Sequence, residues 1–251
     1  DNKLYKQELQ KISYLLEEIA AIPSLNHSLK DVLQVRANEF RDTVNTTPFQ
    51  SGDVHWIQSE SPLDELIGFY EDYHSPFNLT AILEQIIGVK DEKYEKLTDG
   101  LRNMIPAAED RLAQLLGSDY SKRDFKFLPT VICINSVGFA DNRCEYVGIA
   151  MNLPNVTPYG RGDLTKKVIL LNNVAAREKY VSRPMAEPLM DPEQFRQLSS
   201  EGMLLATISH EIVHGLGPTL GYDTPHGKMS DALKEYSSLL EEAKADLYGI
   251  T

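Results

Sequence analysis

The stretch His210-Glu211-Ile212-Val213-His214 indicates both how this part of the chain folds and what it binds. Its H-E-x-x-H spacing places the two histidines one above the other on the same face of an α-helix, where both imidazoles can ligate one metal ion. Glu211 then lies beside the metal and can take a proton from a metal-bound water. The stretch therefore predicts a zinc site on a helix.

The neighbouring residues favour a half-buried helix that ends soon after His214. Apolar side chains recur at helical spacing on one side of it, namely Met203, Leu204, Ile208, Ile212 and Leu216. Gly215, Gly217 and Pro218 follow, in the order that is typical of a helix C-terminus. Because the C-terminal end of a helix carries partial negative charge, it also favours a cation.

A second helix, predicted over residues 233–246, offers the third metal ligand. Glu242 and Asp246 are four residues apart and therefore share one face of it. A carboxylate on a second helix completes a His₂Glu catalytic zinc site and leaves the fourth position for water. Either Asp246 or Glu241 is then available to accept the outer N–H of a ligating histidine.

Composition narrows the classes of protein to which the chain can belong. Its 251 residues carry 37 acidic and 25 basic side chains, a formal charge of -12, which argues against nucleic acid as the main partner. No apolar run approaches the ~20 residues of a membrane helix. We expect a soluble protein with no membrane partner, either cytoplasmic or periplasmic/secreted, of unknown oligomeric state.

Because the sequence lacks an initiating Met and stops just after the second helix, we expect a piece of a longer protein.

Hydrophobic periodicity predicts an α+β fold, with a mixed and partly barrel-like sheet and a mostly helical zinc-binding portion. Predicted helices cover residues 3–21, 28–43, 90–116 with an interruption near Pro106, 174–180, and 233–246 with Ser230 or Asp231 as N-cap. Predicted strands cover residues 65–73, 81–89, 128–136, 146–152 and 167–172, whereas 45–62 and 184–192 are predicted as loop and connector. We predict an N-terminal helical segment over residues 1–60, a mixed α+β body with substrate-binding strands over 61–192, and a truncated helical catalytic portion over 193–251.

Cys133 and Cys144 are expected to be buried free thiols, or to form a disulfide if their strands are adjacent.

Five motifs carry a resemblance to a known family. They are His210 to Pro218 (HEIVHGLGP), Glu241 to Asp246 (EEAKAD), Leu66 to Phe77 (LIGFYEDYHSPF), Gly148 to Asn155 (GIAMNLPN) and Lys166 to Val174 (KKVILLNNV). In this order and over roughly residues 60–250, the chain resembles the dipeptidyl-peptidase III family of zinc metallopeptidases. The shorter spacing between the two histidines resembles its bacterial branch.

The resemblance implies a role for each matching residue. It implies zinc ligands at His210, His214 and Glu242, a general base at Glu211, and partners of the ligating histidines at Glu241 and Asp246. It also implies that Glu71 meets the amino end of the substrate, that Tyr73 meets the reacting carbonyl, and that Asn152 and Asn155 hold the peptide backbone as an added strand.

These observations predict a zinc-dependent metallopeptidase with one zinc ion per chain and short peptides as substrates. Release of dipeptides from the N-terminus is the narrower expectation. The alternative from another class is a catalytically inactive, zinc-binding module that binds peptides or has a structural role. A fourth protein ligand such as His226 would favour that alternative, because catalytic zinc keeps one position open. A zinc hydrolase of non-peptide amides is a third interpretation.

Overall fold

A computed structural model describes residues 5–41, 50–71, 82–125, 128–140, 148–153 and 164–250 of the chain. The helices are α1 (Lys6–Ala20), α2 (His27–Arg41), α3 (Gln50–Ile57), α4 (Glu95–Leu116), α5 (Leu171–Arg177), α6 (Arg183–Leu189), α7 (Pro192–Gln197), α8 (Ser200–Val213), α9 (Met229–Leu233) and α10 (Ser237–Gly249). The strands are β1 (Leu63–Glu71), β2 (Ile82–Lys90), β3 (Thr130–Ala140), β4 (Ala150–Leu153), β5 (Lys166–Leu170), β6 (Asp223–Thr224) and β7 (Gly227–Lys228). The first five strands form a curled, mixed sheet in the order β1-β2-β3-β5-β4, which confirms the predicted α+β class.

Backbone contacts divide the chain into two compact units. Unit 1 comprises Asp1–Lys90, Ile134–Val147 and Leu153–Pro158, and unit 2 comprises Asp91–Cys133, Gly148–Asn152 and Tyr159–Thr251. The three-part division at residues 60 and 192 stays a prediction.

Unit 1 combines the N-terminal helices with an antiparallel strand pair. Strands β1 and β2 are in register from Leu63 opposite Val89 to Phe69 opposite Leu83. One apolar core joins α1 and α2 to β1 through Leu9, Leu16, Leu29, Leu33, Ala37, Phe40 and Ile67. The predicted helices over 3–21 and 28–43 and the first two predicted strands are thus confirmed within the described residues.

The loop predicted over residues 45–62 is wrong where α3 forms. Trp56 is 1% exposed and its Nε1 donates to Asp64 Oδ1 at 3.0 Å. Asp53 accepts from the buried Arg36 guanidinium at 2.5 Å. These contacts with distant residues hold the helix although Ser51 and Gly52 favour a turn, so tertiary packing overrides local preference.

Helix α8 contributes to the apolar core of unit 2. Among the described residues, this core includes Ile105, Leu112, Val131, Cys133, Ile169, Val174, Leu204, Ile208, Ile212, Val213, Leu216 and Ala245. The expectation of a buried free thiol is confirmed for Cys133, whereas Cys144 lies outside the described residues. Within the described part of the chain, no helix is long and apolar enough to cross a membrane.

Three predicted breaks or boundaries in unit 2 are wrong. Helix α4 continues through Pro106, and α6 replaces the predicted connector over 184–192, with Pro184 at its start. A π-helical turn over Glu178–Ser182 joins α5 directly to α6, so Pro184 follows helical backbone, and a local change of helix type accompanies the proline. The predicted helix over 233–246, capped by Ser230 or Asp231, instead begins at Ser237 after Tyr236. Lys234 has φ 53, in the left-handed region, so a continuous helix from α9 cannot form.

Candidate metal centre

Helices α8 and α10 bring the predicted metal-binding side chains together. Ser199 caps α8 by accepting a hydrogen bond from Gly202 N at 3.0 Å. Burial of Ile208 and Ile212 fixes the rotation of this helix about its axis. His210 lies in its last turn and His214 is its C-cap residue, which agrees with the predicted end of the helix.

Three electron-pair donors converge between these helices. His210 Nε2 and His214 Nε2 are 3.0 Å apart. The Glu242 carboxylate approaches both, with Oε2 at 3.3 Å from His210 Nε2 and Oε1 at 3.7 Å from His214 Nε2. Tetrahedral zinc with bonds of about 2.0–2.1 Å separates its ligand atoms by about 3.3 Å. The three donor groups therefore have the spacing that a zinc ion requires.

The outer nitrogen of each histidine meets a second carboxylate. His210 Nδ1 is 2.9 Å from Asp246 Oδ1, and His214 Nδ1 is 3.1 Å from Glu241 Oε1. An ionised carboxylate only accepts hydrogen bonds, so in a neutral imidazole placed here Nδ1 carries the proton and Nε2 presents a lone pair. Two lone pairs and a carboxylate facing one another repel, and a shared cation removes that repulsion.

The two outer carboxylates differ in their surroundings. The Glu241 side chain is 12% exposed and accepts from Lys244 Nζ at 2.8 Å, whereas the Asp246 side chain is 78% exposed. Burial alone would raise the pKa of Glu241, but the hydrogen bond from His214 and the Lys244 charge hold it below its ordinary value. Lys244 Nζ also donates to Leu216 O at 3.0 Å, just beyond the C-terminus of α8. Glu241 is therefore the more firmly held of the two carboxylates.

Glu211 lies close to the same point. One ligand atom each from His210, Glu211 and His214 lies within 4.8 Å of the others. His226 does not join this or any other such group among the described residues. Glu242 is the candidate for the third ligand position rather than Glu211, because the Glu242 oxygens approach both Nε2 atoms within 3.7 Å. Glu211 then remains beside the site with its carboxylate available for proton transfer.

A cationic cluster, defined here as Arg123, Lys167 and Lys244, surrounds the turn after His214. Arg123 Nη1 donates to Gly215 O, and Lys167 Nζ lies 3.9 Å from where a Cβ on Gly215 would be. Sequence analysis missed all three residues. The signal for Lys167 was the pair of lysines at the start of KKVILL, an otherwise apolar strand segment. No local pattern connects Arg123 or Lys244 to the turn.

The residues predicted to bind substrate are described only in part. Asn152 lies in β4, where its Oδ1 accepts from Lys167 Nζ at 3.0 Å. Glu71 ends β1, but its side chain is not described. Tyr73 and Asn155 lie outside the described residues. The metal-binding set is thus brought together, whereas roles in substrate binding stay predictions.

Comparisons with known proteins point to one peptidase family. The model of peptidase family M49 matches residues 2–248. The structure of DPP III from Caldithrix abyssi superimposes with a TM-score of 0.84 and 28% identity, covering 99% of this chain and 47% of the other. For dipeptidyl-peptidase III from Corallococcus sp. strain EGB, the TM-score is 0.79 and the identity 29%, with 98% and 45% covered.

Two curated relatives are much longer than this chain. A protein named Nudix hydrolase 3 from Arabidopsis thaliana is 30% identical over 256 residues, which cover 99% of this chain and 32% of the relative. Dipeptidyl peptidase 3 from Nematostella vectensis is 23% identical over 228 residues, which cover 80% and 30%. The chain spans about a third of these proteins and under half of the two solved structures. It belongs to peptidase family M49, and the resemblance to the dipeptidyl-peptidase III family is confirmed.

Proposed function

We propose that this member of peptidase family M49 provides the metal-binding and water-activating part of a zinc-dependent peptidase that hydrolyses short peptides. The observation that carries the proposal is the convergence of His210 Nε2, His214 Nε2 and the Glu242 carboxylate within 3.7 Å of one another. Similarity to proteins named dipeptidyl-peptidase III supports a narrower form, the release of dipeptides from the N-terminus.

The chemistry of the donor set supports zinc as the bound metal. Two imidazoles and one carboxylate, each imidazole oriented by a further carboxylate, match catalytic zinc sites, which keep a fourth position for water. When bound, zinc would supply a Lewis acid and lower the pKa of a coordinated water toward ~7. That His226 joins no metal-binding group among the described residues supports an open fourth position over a closed structural site.

The chain's own side chains would then perform the proton transfers. Glu211 would take a proton from the attacking water and later deliver it to the leaving amine. Tyr73 would donate a hydrogen bond to the oxygen that gains charge on the reacting carbonyl. Glu71 would pair with the free α-amine of the peptide, which selects cleavage near the N-terminus. Asn152 and Asn155 would hold its backbone. The roles of Glu71, Tyr73 and Asn155 are supported by the motif match alone.

Two measurements test the proposal. Mass spectrometry should find about one zinc per purified chain, and Glu242→Gln should lose most of it because one of three protein ligands is weakened. Glu235→Gln, the same chemical change at an exposed position in the turn before α10, is the matched control and should retain zinc. Absence of zinc from the parent protein would contradict the proposed site.

Hydrolysis of a fluorogenic dipeptide amide tests the role of Glu211. Glu211→Gln should keep zinc and lose about 10²–10⁴-fold in kcat, the range typical of a missing general base. Equal hydrolysis by the parent and by zinc-loaded Glu211→Gln would refute the assignment of the base. Zinc binding by a parent that cleaves neither peptides nor peptide amides would favour the inactive peptide-binding or structural module. Cleavage of other amides alone would favour the third interpretation.

A further inference from the structure

Lys167 is a buried cation that the proposed reaction does not use. It lies in β5, where every residue from Lys166 to Leu170 is buried, and the Lys167 side chain is 0% exposed. Transfer of an ammonium group out of water costs several kcal/mol unless polar partners replace the water. The identity of those partners therefore shows what holds Lys167 in this position.

One partner is the side-chain amide of Asn152, whose Oδ1 lies 3.0 Å from Lys167 Nζ. An ammonium group has hydrogen-bond donors and no acceptor, so the Asn152 atom that faces it must be the oxygen. Amide oxygen and nitrogen are often hard to tell apart by position, but here the chemistry of the partner settles the assignment. The Nδ2 group of Asn152, which does not face Lys167, carries two N–H donors that can meet another molecule.

Charged groups of the candidate metal centre also act on Lys167. Burial lowers the pKa of Lys167 to about 8, while the Glu211 charge, and less strongly the Glu241 charge, oppose that shift. The Lys244 and Arg123 charges add to the lowering of the Lys167 pKa. The Asn152 amide in β4 therefore contacts Lys167 Nζ directly, and the Glu211 and Glu241 charges favour its protonated form.

We propose that Lys167 is a positioning residue that orients the Asn152 amide, so that Asn152 Nδ2 donates a hydrogen bond to a backbone carbonyl of the bound peptide. The inference rests on the proposed function and deepens it, since it states which peptide group Asn152 recognises. A peptide N–H in the same place would face the N–H donors of Asn152 Nδ2, and two donors cannot form a hydrogen bond. The bound peptide is therefore held in one register.

The test measures peptide affinity apart from turnover. Unblocked tetra-alanine is titrated calorimetrically into zinc-loaded Glu211→Gln protein, alone and with Lys167→Met or Asn152→Asp added. Asn152→Asp keeps an acceptor for Lys167 but turns a second oxygen, instead of N–H, toward the peptide carbonyl. Both changes should raise the Kd about tenfold or more, the equivalent of one hydrogen bond. Lys96→Met and Asn103→Asp, at exposed positions in α4, are the matched controls and should leave the Kd unchanged.

A second pair of readouts separates positioning from folding. Zinc stoichiometry should equal that of the parent in both variants. Lys167→Gln, which retains a neutral donor, should bind the peptide more tightly than Lys167→Met does. In the wild-type Glu211 background, KM should rise with Asn152→Asp more than kcat falls.

Two kinds of failure are distinguishable. An unchanged Kd in both Lys167→Met and Asn152→Asp, with zinc at the parent level, would overturn the inference while leaving the metal centre intact. Tighter binding by Asn152→Asp would also overturn it, because the substrate would then offer an N–H. A Glu211→Gln protein that holds no zinc would instead overturn the proposed function.

Discussion

Gly249 in α10 lies against the backbone of His210 in α8. A Cβ added at Gly249 would be 3.1 Å from His210 N and 3.4 Å from His210 Cα. Backbone atoms inside a packed helix cannot rotate away as a side chain can, so the absence of a side chain at Gly249 permits this approach. Glu242 and Asp246 precede Gly249 on the same helix, and the contact therefore helps to set how closely their carboxylates approach the histidines.

Enlarging Gly249 should weaken metal binding. Gly249→Val should push the end of α10 away from α8, reduce stability by about 1–3 kcal/mol and raise the zinc Kd. Competition against a chromophoric chelator measures the Kd, and urea unfolding measures the stability. Gly100→Ala in α4 is the control, because its added Cβ meets nothing within 4 Å and alanine favours a helix. Zinc binding by Gly249→Val as tight as in the parent would show that this contact does not set the geometry.

The two carboxylates behind the histidines should contribute unequally to zinc affinity. Glu241→Gln should raise the zinc Kd about 10–100-fold, because a charged partner of His214 is lost from a site where Lys244 holds it in place. Asp246→Asn should raise it less, because the Asp246 side chain is 78% exposed and water can replace much of its interaction with His210. Each amide substitution serves as the control for the other, and a larger effect of Asp246→Asn would contradict this order.

Much of the metal centre could be predicted because its information is local. The i, i+4 spacing of His210 and His214 places both side chains on one face of any α-helix. The carboxylates of α10 could likewise be predicted from a second helix alone. Helix α3 was missed because Trp56 and Asp53 are held by Asp64 and Arg36, which no pattern within residues 45–62 contains. The start of α10 was misplaced because the positive φ of Lys234 has no signal in its residue type.

Lys167 shows a different limit of sequence analysis. The pair Lys166-Lys167 at the start of a strand is ordinarily expected at a solvated edge, yet both side chains are 0% exposed. The Lys167 partner Asn152 is 15 residues away, on another strand. Only the pairing of those strands places the two side chains together, and that pairing depends on the whole sheet.

Glu109 should be important for the stability of unit 2. Its buried carboxylate accepts from Tyr120 Oη at 2.5 Å, Arg123 N at 3.1 Å and Gly217 N at 2.8 Å. Gly217 has φ 63 in the turn after α8, and its N–H donates to Glu109, so this carboxylate holds the turn. Glu109→Gln replaces one accepting oxygen by a donor and should reduce the free energy of unfolding by about 2–4 kcal/mol.

Urea unfolding of Glu109→Gln measures this loss. Glu95→Gln, an exposed position in the same helix, is the matched control and should change the free energy of unfolding by less than about 1 kcal/mol. Equal stability of the two variants would mean that the three hydrogen bonds to Glu109 are readily replaced.

Cys133 should be unreactive while the protein is folded. Burial, and to a smaller extent the Asp91 charge, raise the pKa of its thiol to about 12 from the ordinary value of 9.0. Since the thiolate is the reactive form, the thiolate fraction at pH 8 falls roughly a thousandfold relative to an unperturbed thiol. In a Cys144→Ser variant, which leaves one of the two cysteines, a disulfide reagent should react with native protein at least 100-fold more slowly than with urea-unfolded protein.

The Cys133 thiol should make the free energy of unfolding decrease as pH rises. Above about pH 9 the unfolded chain loses the Cys133 proton before the folded chain does, so the contribution of this thiol to stability falls as pH rises from about 9 toward 12. Cys133→Ala in the Cys144→Ser background removes that titration. Its stability should fall less between pH 8 and pH 10 than that of the variant with Cys133 intact, even though the added cavity lowers its stability at both values. Identical pH dependence of the two proteins, or rapid labelling of native Cys133, would show that this thiol is accessible to water.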